Sequence, residues 1–230
     1  ESSLFIYCIS MKIIIQKLKR FYWYISLINR TIFNHGLIKV NENKGQWEKR
    51  YPPLKSLNKT AKLFNQINGK VIVEIGSGIH GNYSQYSGDS CLTWAKKTNA
   101  EVIKCVDLDP KMVEAVAEAT KGFDALEAVL DDGLDFLSKT ELKIDLLLLD
   151  FWADEPDDSF GSGRAEKYLE AYMNGKDKMS PKSLILIDDT DHAPPWKDTL
   201  MVPEARKDGF KVIYIGRQTL LARGIENPNI

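Results

Sequence analysis

From residue 70 onward the chain alternates between two kinds of segment. Short apolar runs stand at 70–75 (KVIVEI), 101–106 (EVIKCV), 126–130 (LEAVL), 144–149 (IDLLLL) and 183–187 (SLILI). Stretches of helical composition separate them, at 90–98, 111–121, 132–139 and 164–179. Strands that alternate with helices form crossover units and hence a parallel sheet. The runs at 144–149 and 184–187 are almost wholly apolar, as central strands covered on both faces must be. The ending differs. Residues 210–215 (FKVIYI) and 218–222 (QTLLA) are separated only by Gly216 and Arg217. So short a link demands an antiparallel hairpin, because a parallel crossover takes about a dozen residues.

The first quarter of the chain has a different character. Net charge is −1 over 230 residues, yet residues 1–60 carry 11 Lys/Arg against 3 Asp/Glu, and the remainder is acidic. The near-neutral whole argues against a nucleic-acid partner, and the split divides the chain into a basic arm with linker (1–56) and a main domain (57–230). Within the arm, Ile14, Leu18, Phe21, Ile25 and Ile28 make one apolar stripe over 11–30, beside Lys17, Lys19, Arg20 and Arg30. Such a helix packs on its own domain, joins a second subunit in a homodimer, or lies on a membrane surface with Trp23 and its neighbouring tyrosines. The uncharged stretches 2–11 and 21–29 fall short of the roughly 18–20 apolar residues that span a bilayer. Residues 41–56 read as linker and 57–68 as a short helix. Cys8, Cys91 and Cys105 form no CxxC, so neither a zinc site nor a disulfide framework is expected. A reducing, cytoplasmic setting follows, with membrane association the variant that the arm suggests.

The first strand runs into Glu74-Ile75-Gly76-Ser77-Gly78-Ile79-His80-Gly81, which satisfies GxGxxG. Glycines there let the strand turn sharply and let backbone approach a ligand closely. Glu74, at the strand end, can take a cationic ligand group. Asp107 ends the second strand, where an acid can accept both hydroxyls of a ribose. The alternatives are an ordinary tight turn for the glycines and a turn or cap residue for Asp107.

In that order VIVEIGSG, VDLDP, LDDG at 130–133 and LLLLDFW at 146–152 resemble the class I S-adenosylmethionine-dependent methyltransferases. The resemblance covers about residues 60–222. It implies an α/β fold: a doubly wound, seven-stranded, mostly parallel sheet whose last strand is antiparallel. It also implies S-adenosylmethionine as cofactor, with its methionine part at Glu74, Gly76, Ser77 and Gly78, its ribose at Asp107 and Leu108, and its adenine near Asp131 or Asp132. One departure is the insertion of residues 82–89 between Gly81 and the next helix.

Asp150 directly follows the run 144–149, and Asp188 and Asp189 end the run 183–187. Parallel strands share a direction, so the three carboxylates converge if these strands are neighbours about 4.8 Å apart. Open α/β sheets bind ligands at that edge. Three anionic groups in one cleft repel unless a cation joins them, and an all-oxygen set suits Mg²⁺ or another divalent ion. LLLLDFWAD and LILIDDTDH resemble the metal-dependent O-methyltransferases of the catechol and macrocin O-methyltransferase kind. By that resemblance Asp150, Asp188 and Asp189 bind the metal, Asp150 also borders the cofactor, and the acceptor is a small hydroxylated molecule. Those enzymes carry a basic Lys three residues after the first metal Asp, where this chain has Ala153. His192, three residues after Asp189, is the candidate base beside Asp150, with Asp154 a weaker substitute. The polar loop 152–166 reads as a lid or substrate wall, with Trp152 and Trp196 as pocket or packing residues.

Three rival readings stay open. The first is a metal-independent N- or O-methyltransferase. The second is an NAD-dependent oxidoreductase, since GxGxxG with a downstream acid also fits dinucleotides. The third is a non-catalytic binding module that uses the basic arm.

Overall fold

The computed structural model describes residues 54–77, 90–151, 162–190 and 196–226. Apart from its last three positions, the arm and linker at 1–56 lie outside the described residues. So do Gly78, Gly81, Trp152, Asp154 and His192.

The first described helix, α1 (Leu54–Gln66), begins three residues before the expected one. Its buried Leu57, Ala61 and Phe64 recur at steps of four and three and form one apolar face. Strand β1 (Val71–Ile75) follows, then α2 (Ser90–Lys97), β2 (Val102–Asp107) and α3 (Pro110–Ala119). Pro110 sits in the first turn of α3, and the Asp109 carboxylate caps it by accepting from the Lys111 N–H. Next come β3 (Leu126–Leu130), α4 (Gly133–Lys139), β4 (Ile144–Leu149) and α5 (Ser162–Gly175). A 3₁₀ turn (Lys176–Lys178) leads into β5 (Met179–Ile187), followed by α6 (Met201–Lys207), β6 (Lys211–Ile215) and β7 (Thr219–Arg223).

The seven strands form one sheet in the order β3-β2-β1-β4-β5-β7-β6. β1 to β5 pair in parallel, and β7 runs antiparallel to both β5 and β6. The expected architecture is therefore present, hairpin included. β4 and β5 are neighbours, with Leu149 opposite Ile187.

Alternation within the central strands explains the two helical layers. Leu146, Leu148, Leu184 and Leu186 join a core that includes Leu57 and Phe64 of α1 and Trp94 of α2. Leu147, Leu149, Ile185 and Ile187 are equally buried and point the other way. On that side α4 packs against α5, and α5 against α6. The Lys178 ammonium donates to the carbonyls of Leu137, Ser138 and Asn174, so one cation caps the ends of both α4 and α5. The one acid inside β4, Asp145, accepts from the Lys70 and Val71 N–H groups and tethers the start of β1.

Three elements depart from the expectations. The helix read over 164–179 stops at Gly175, and β5 begins at Met179 rather than Ser183. Pro181 lies in that early part of β5, where the register against β4 shifts between Ile144 and Leu146. A proline in a strand suits such an irregularity, and it masks the strand in the sequence. α6 has no counterpart among the expected helices. It has only seven residues, and Leu200 caps it without a side-chain hydrogen bond, so it lacks the polar start signal that marks a helix.

Candidate functional site at the carboxyl edge of the sheet

The parallel ladder extends one residue past the central strands. Asp150 N–H donates to Ile75 O (2.9 Å), and Asp188 N–H donates to Leu149 O (3.0 Å). Gly76, Asp150 and Asp188 thus stand at one rim. Gly76 has φ +83°, and a Cβ there would lie 2.4 Å from both the N and the Cα of Phe151. Any side chain at this position collides with backbone, so the β1 turn accepts only glycine.

Asp150, Asp188 and Asp189 each offer an oxygen within 4.8 Å of the others. Asp188 is nearly closed off, with 7% of its side chain exposed, whereas Asp150 shows 35%. Burial raises the proton affinity of Asp150 and Asp188 first, and the neighbouring carboxylates raise it further. Asp189 has φ +50°, a left-handed conformation that is uncommon outside glycine and concentrates at functional sites.

Two cations meet this trio. Lys197 Nζ lies 3.7 Å from Asp150 Oδ1 and 3.8 Å from Asp189 Oδ2, with only 4% of its side chain exposed. Arg217 Nη2 lies 2.9 Å from Asp189 Oδ1 and 3.9 Å from Asp188 Oδ2. Burial alone would push Lys197 towards neutrality, but Tyr168 and the three carboxylates outweigh it and keep the ammonium protonated. Its charge lies 5.2 Å from the Tyr168 ring centre. Tyr168 in turn donates to Phe151 O (2.8 Å) and stacks on the Phe151 ring. Among the described residues, the buried Asp188 Oδ1 has no hydrogen-bond partner.

The β1–β3 half of the rim is organised differently. Glu74 is buried, and it accepts from Ser90 Oγ (2.6 Å) and Trp94 Nε1 (2.7 Å) of α2. Burial pushes its carboxyl up to about 7, and the two hydrogen bonds pull the other way. Ser77 Oγ is buried and has no hydrogen-bond partner among the described residues. Asp107 Oδ1 accepts from Asp109 N–H in an Asx turn, and partial burial raises its proton affinity. Asp131 accepts from the N–H of Asp132, while Asp132 caps α4 through the N–H groups of Leu134 and Asp135. Leu108 and Leu130, at the ends of neighbouring strands, are 66% and 57% exposed.

The structure therefore gathers Glu74, Gly76, Ser77, Asp107, Leu108, Asp131, Asp132, Asp150, Asp188 and Asp189 along one edge. Of these, Asp132 already has a structural task as a helix cap. Lys197, Arg217 and Tyr168 did not emerge from the sequence. Arg217 sits in the two-residue hairpin link, and Lys197 follows Pro194, Pro195 and Trp196. A basic residue in a tight turn near an acidic strand end is the only signal either one leaves.

No protein-family model and no curated protein sequence matches the chain. Solved structures do. The chain is similar to a Staphylococcus aureus "putative caffeoyl-CoA O-methyltransferase" at 13% identity and TM-score 0.51, over 78% of this chain and 88% of that one. It is similar to the O-methyltransferase NovP at 16% identity and TM-score 0.51, over 74% and 78%. It is also similar to SMU.1697c of Streptococcus mutans, solved with SAH, at 11% identity and TM-score 0.51, over 74% and 97%. At such identities the likeness establishes the fold, which is that of the class I methyltransferases.

Proposed function

We propose that the chain is an S-adenosylmethionine-dependent methyltransferase that methylates a hydroxyl oxygen of a small acceptor with the help of a divalent cation. The observation that carries this reading is the convergence of Asp150, Asp188 and Asp189 beside the Gly76 turn, with a buried Asp188 oxygen still without a partner.

The residues fit both groups. Glu74 would face the cationic end of the methionine part, and the unpartnered Ser77 Oγ would bind it as well. Asp107 would accept from the ribose. Leu108 and Leu130 expose apolar surface of the kind that covers a purine face. The donor set at Asp150, Asp188 and Asp189 is all oxygen, as Mg²⁺ prefers. With Lys197 and Arg217 beside it, the trio keeps a formal charge of −1, and a divalent cation plus a deprotonated acceptor would make it neutral. When bound, such a cation lowers the pKa of an acceptor hydroxyl and fixes its direction.

The chain's own part is positioning. Asp150 is the trio member most open to the cleft, and it orients the acceptor beside the donor. Favourable alignment is worth roughly 7–11 kcal/mol of the barrier. His192, from the segment after Asp189, is the base that the sequence offers for the acceptor's proton.

Equilibrium dialysis should show S-adenosylmethionine binding. With a catechol or another vicinal diol as acceptor, methyl transfer should fall by about 100-fold or more with chelator or in Asp150→Asn, as when a transition-state contact is lost. Donor binding should survive both changes. A protein that binds no donor sinks the whole reading, and turnover untouched by chelator leaves the metal-independent variant, which the built-in cations favour.

A further inference from the structure

We propose that Lys197 is the acidic trio's own cation, against which any divalent ion must bind, so that this one residue sets the site's metal affinity. The inference rests on reading the trio as a metal site.

Three observations carry it. The first is occupancy. Lys197 Nζ faces Asp150 Oδ1 and Asp189 Oδ2, while Arg217 holds the other Asp189 oxygen and faces Asp188 Oδ2. Of the six trio oxygens, four already have a cationic neighbour. Asp188 Oδ1 is without a hydrogen-bond partner. A divalent ion that engages all three carboxylates must share an Asp189 oxygen with Lys197 or Arg217, and it lies within a few ångströms of both charges.

The second is fixation. Lys197 does not swing away on a flexible stem as a surface lysine does. It lies between buried Trp196 and buried Asp198, and Asp198 accepts from Thr219 Oγ1 of β7 at 2.9 Å. The Asp198 carbonyl also accepts the Val202 N–H at the start of α6 (3.0 Å). The Tyr168 ring of α5 flanks the ammonium at 5.2 Å.

The third is energetic. A buried ion pair is seldom a source of stability, because desolvation offsets the attraction. A sequestered lysine aimed at a cleft carboxylate therefore calls for another explanation. A fixed positive charge that tempers three crowded acids supplies one. It draws Asp150 and Asp189 together before any ligand arrives, and it opposes a second cation by like-charge repulsion, which low-dielectric surroundings strengthen.

The test is calorimetric titration of the full chain with Mn²⁺ at pH 8, on wild type, Lys197→Met and Lys197→Arg. Lys197→Met, of similar size but neutral, should bind Mn²⁺ about tenfold tighter or more, because the nearest repelling charge is gone. Lys197→Arg keeps the charge and should stay within about threefold of wild type. Binding in Lys197→Met with none in wild type also supports the proposal. Equal or weaker binding in Lys197→Met overturns it and leaves the metal reading intact. No binding in any of the three proteins overturns the metal reading and this inference with it. Should Lys197→Met not fold, Lys197→Gln decides: it too removes the charge and should tighten Mn²⁺ by about tenfold; equal or weaker binding overturns the proposal.

Discussion

The two halves of the carboxyl rim handle their acids in opposite ways. Around β1, β2 and β3, carboxylates rest on donors from nearby chain. Asp107, Asp131 and Asp132 take N–H groups one to three residues away, and Glu74 takes two side chains of the following helix. Around β4 and β5, the acids rest on Lys197 and Arg217, which arrive from segments beyond β5. The first arrangement is neutral hydrogen bonding that shapes backbone. The second is charge against charge in a partly closed cleft, where removing one member leaves the others uncompensated. The difference separates two kinds of support: short-range hydrogen bonds set the β1–β3 rim, and charge pairs with distant segments set the β4–β5 rim.

The comparison can be broken most forcefully at its boundary, where the two halves touch. Gly76→Ala places a Cβ against the Phe151 backbone at a positive φ. It should destabilise the domain by about 4 kcal/mol or more, in the exceptional range for single substitutions, as read by chemical denaturation. A near-wild-type midpoint would show that the halves are not locked together there.

A smaller effect tests the buried carboxyl of the β1–β3 side. The Glu74 carboxyl is raised from 4.5 to about 7 in the fold. Between those values the folded protein holds a proton that the unfolded chain has released, so stability falls as pH rises through the window. The upper bound of the loss is about 3.5 kcal/mol, at roughly 1.4 kcal/mol for each tenfold change in proton affinity. Melting curves from pH 4.5 to 8 should show this slope flattened in Glu74→Gln relative to wild type. Asp150 and Asp188 are raised in the same direction, so some slope persists in the variant. Identical slopes in both proteins would mean that Glu74 titrates normally.

The smallest effect concerns Asp132, whose carboxylate caps α4. Asp132→Ala should lower stability by about 1 kcal/mol, typical of a lost cap. It should leave donor affinity within about twofold, well under the factor of ten that 1.4 kcal/mol represents. A large loss of donor affinity would move Asp132 from scaffold to binding surface.

Much of this is legible in the residues. The apolar runs place the strands, the Gly216-Arg217 link implies the hairpin, and three acids at two strand ends mark the rim. What fails to show has physical causes. α6 lacks a capping side chain, and Pro181 disguises the start of β5. Crowded acids do need a cation, as the sequence suggests, but two such cations lie within the chain itself. Lys197 and Arg217 leave only a faint local trace, a basic residue in a tight turn.

Periodicity and turn chemistry are short-range properties, so the sequence alone determined the strand succession, the glycine turn and the acids at each strand end. The charge state of the rim depends on which side chains approach within about 4 Å, where a Coulomb interaction competes with desolvation. Only the packing of β5, α5, α6 and the β6–β7 hairpin decided that a lysine and an arginine stand among those acids.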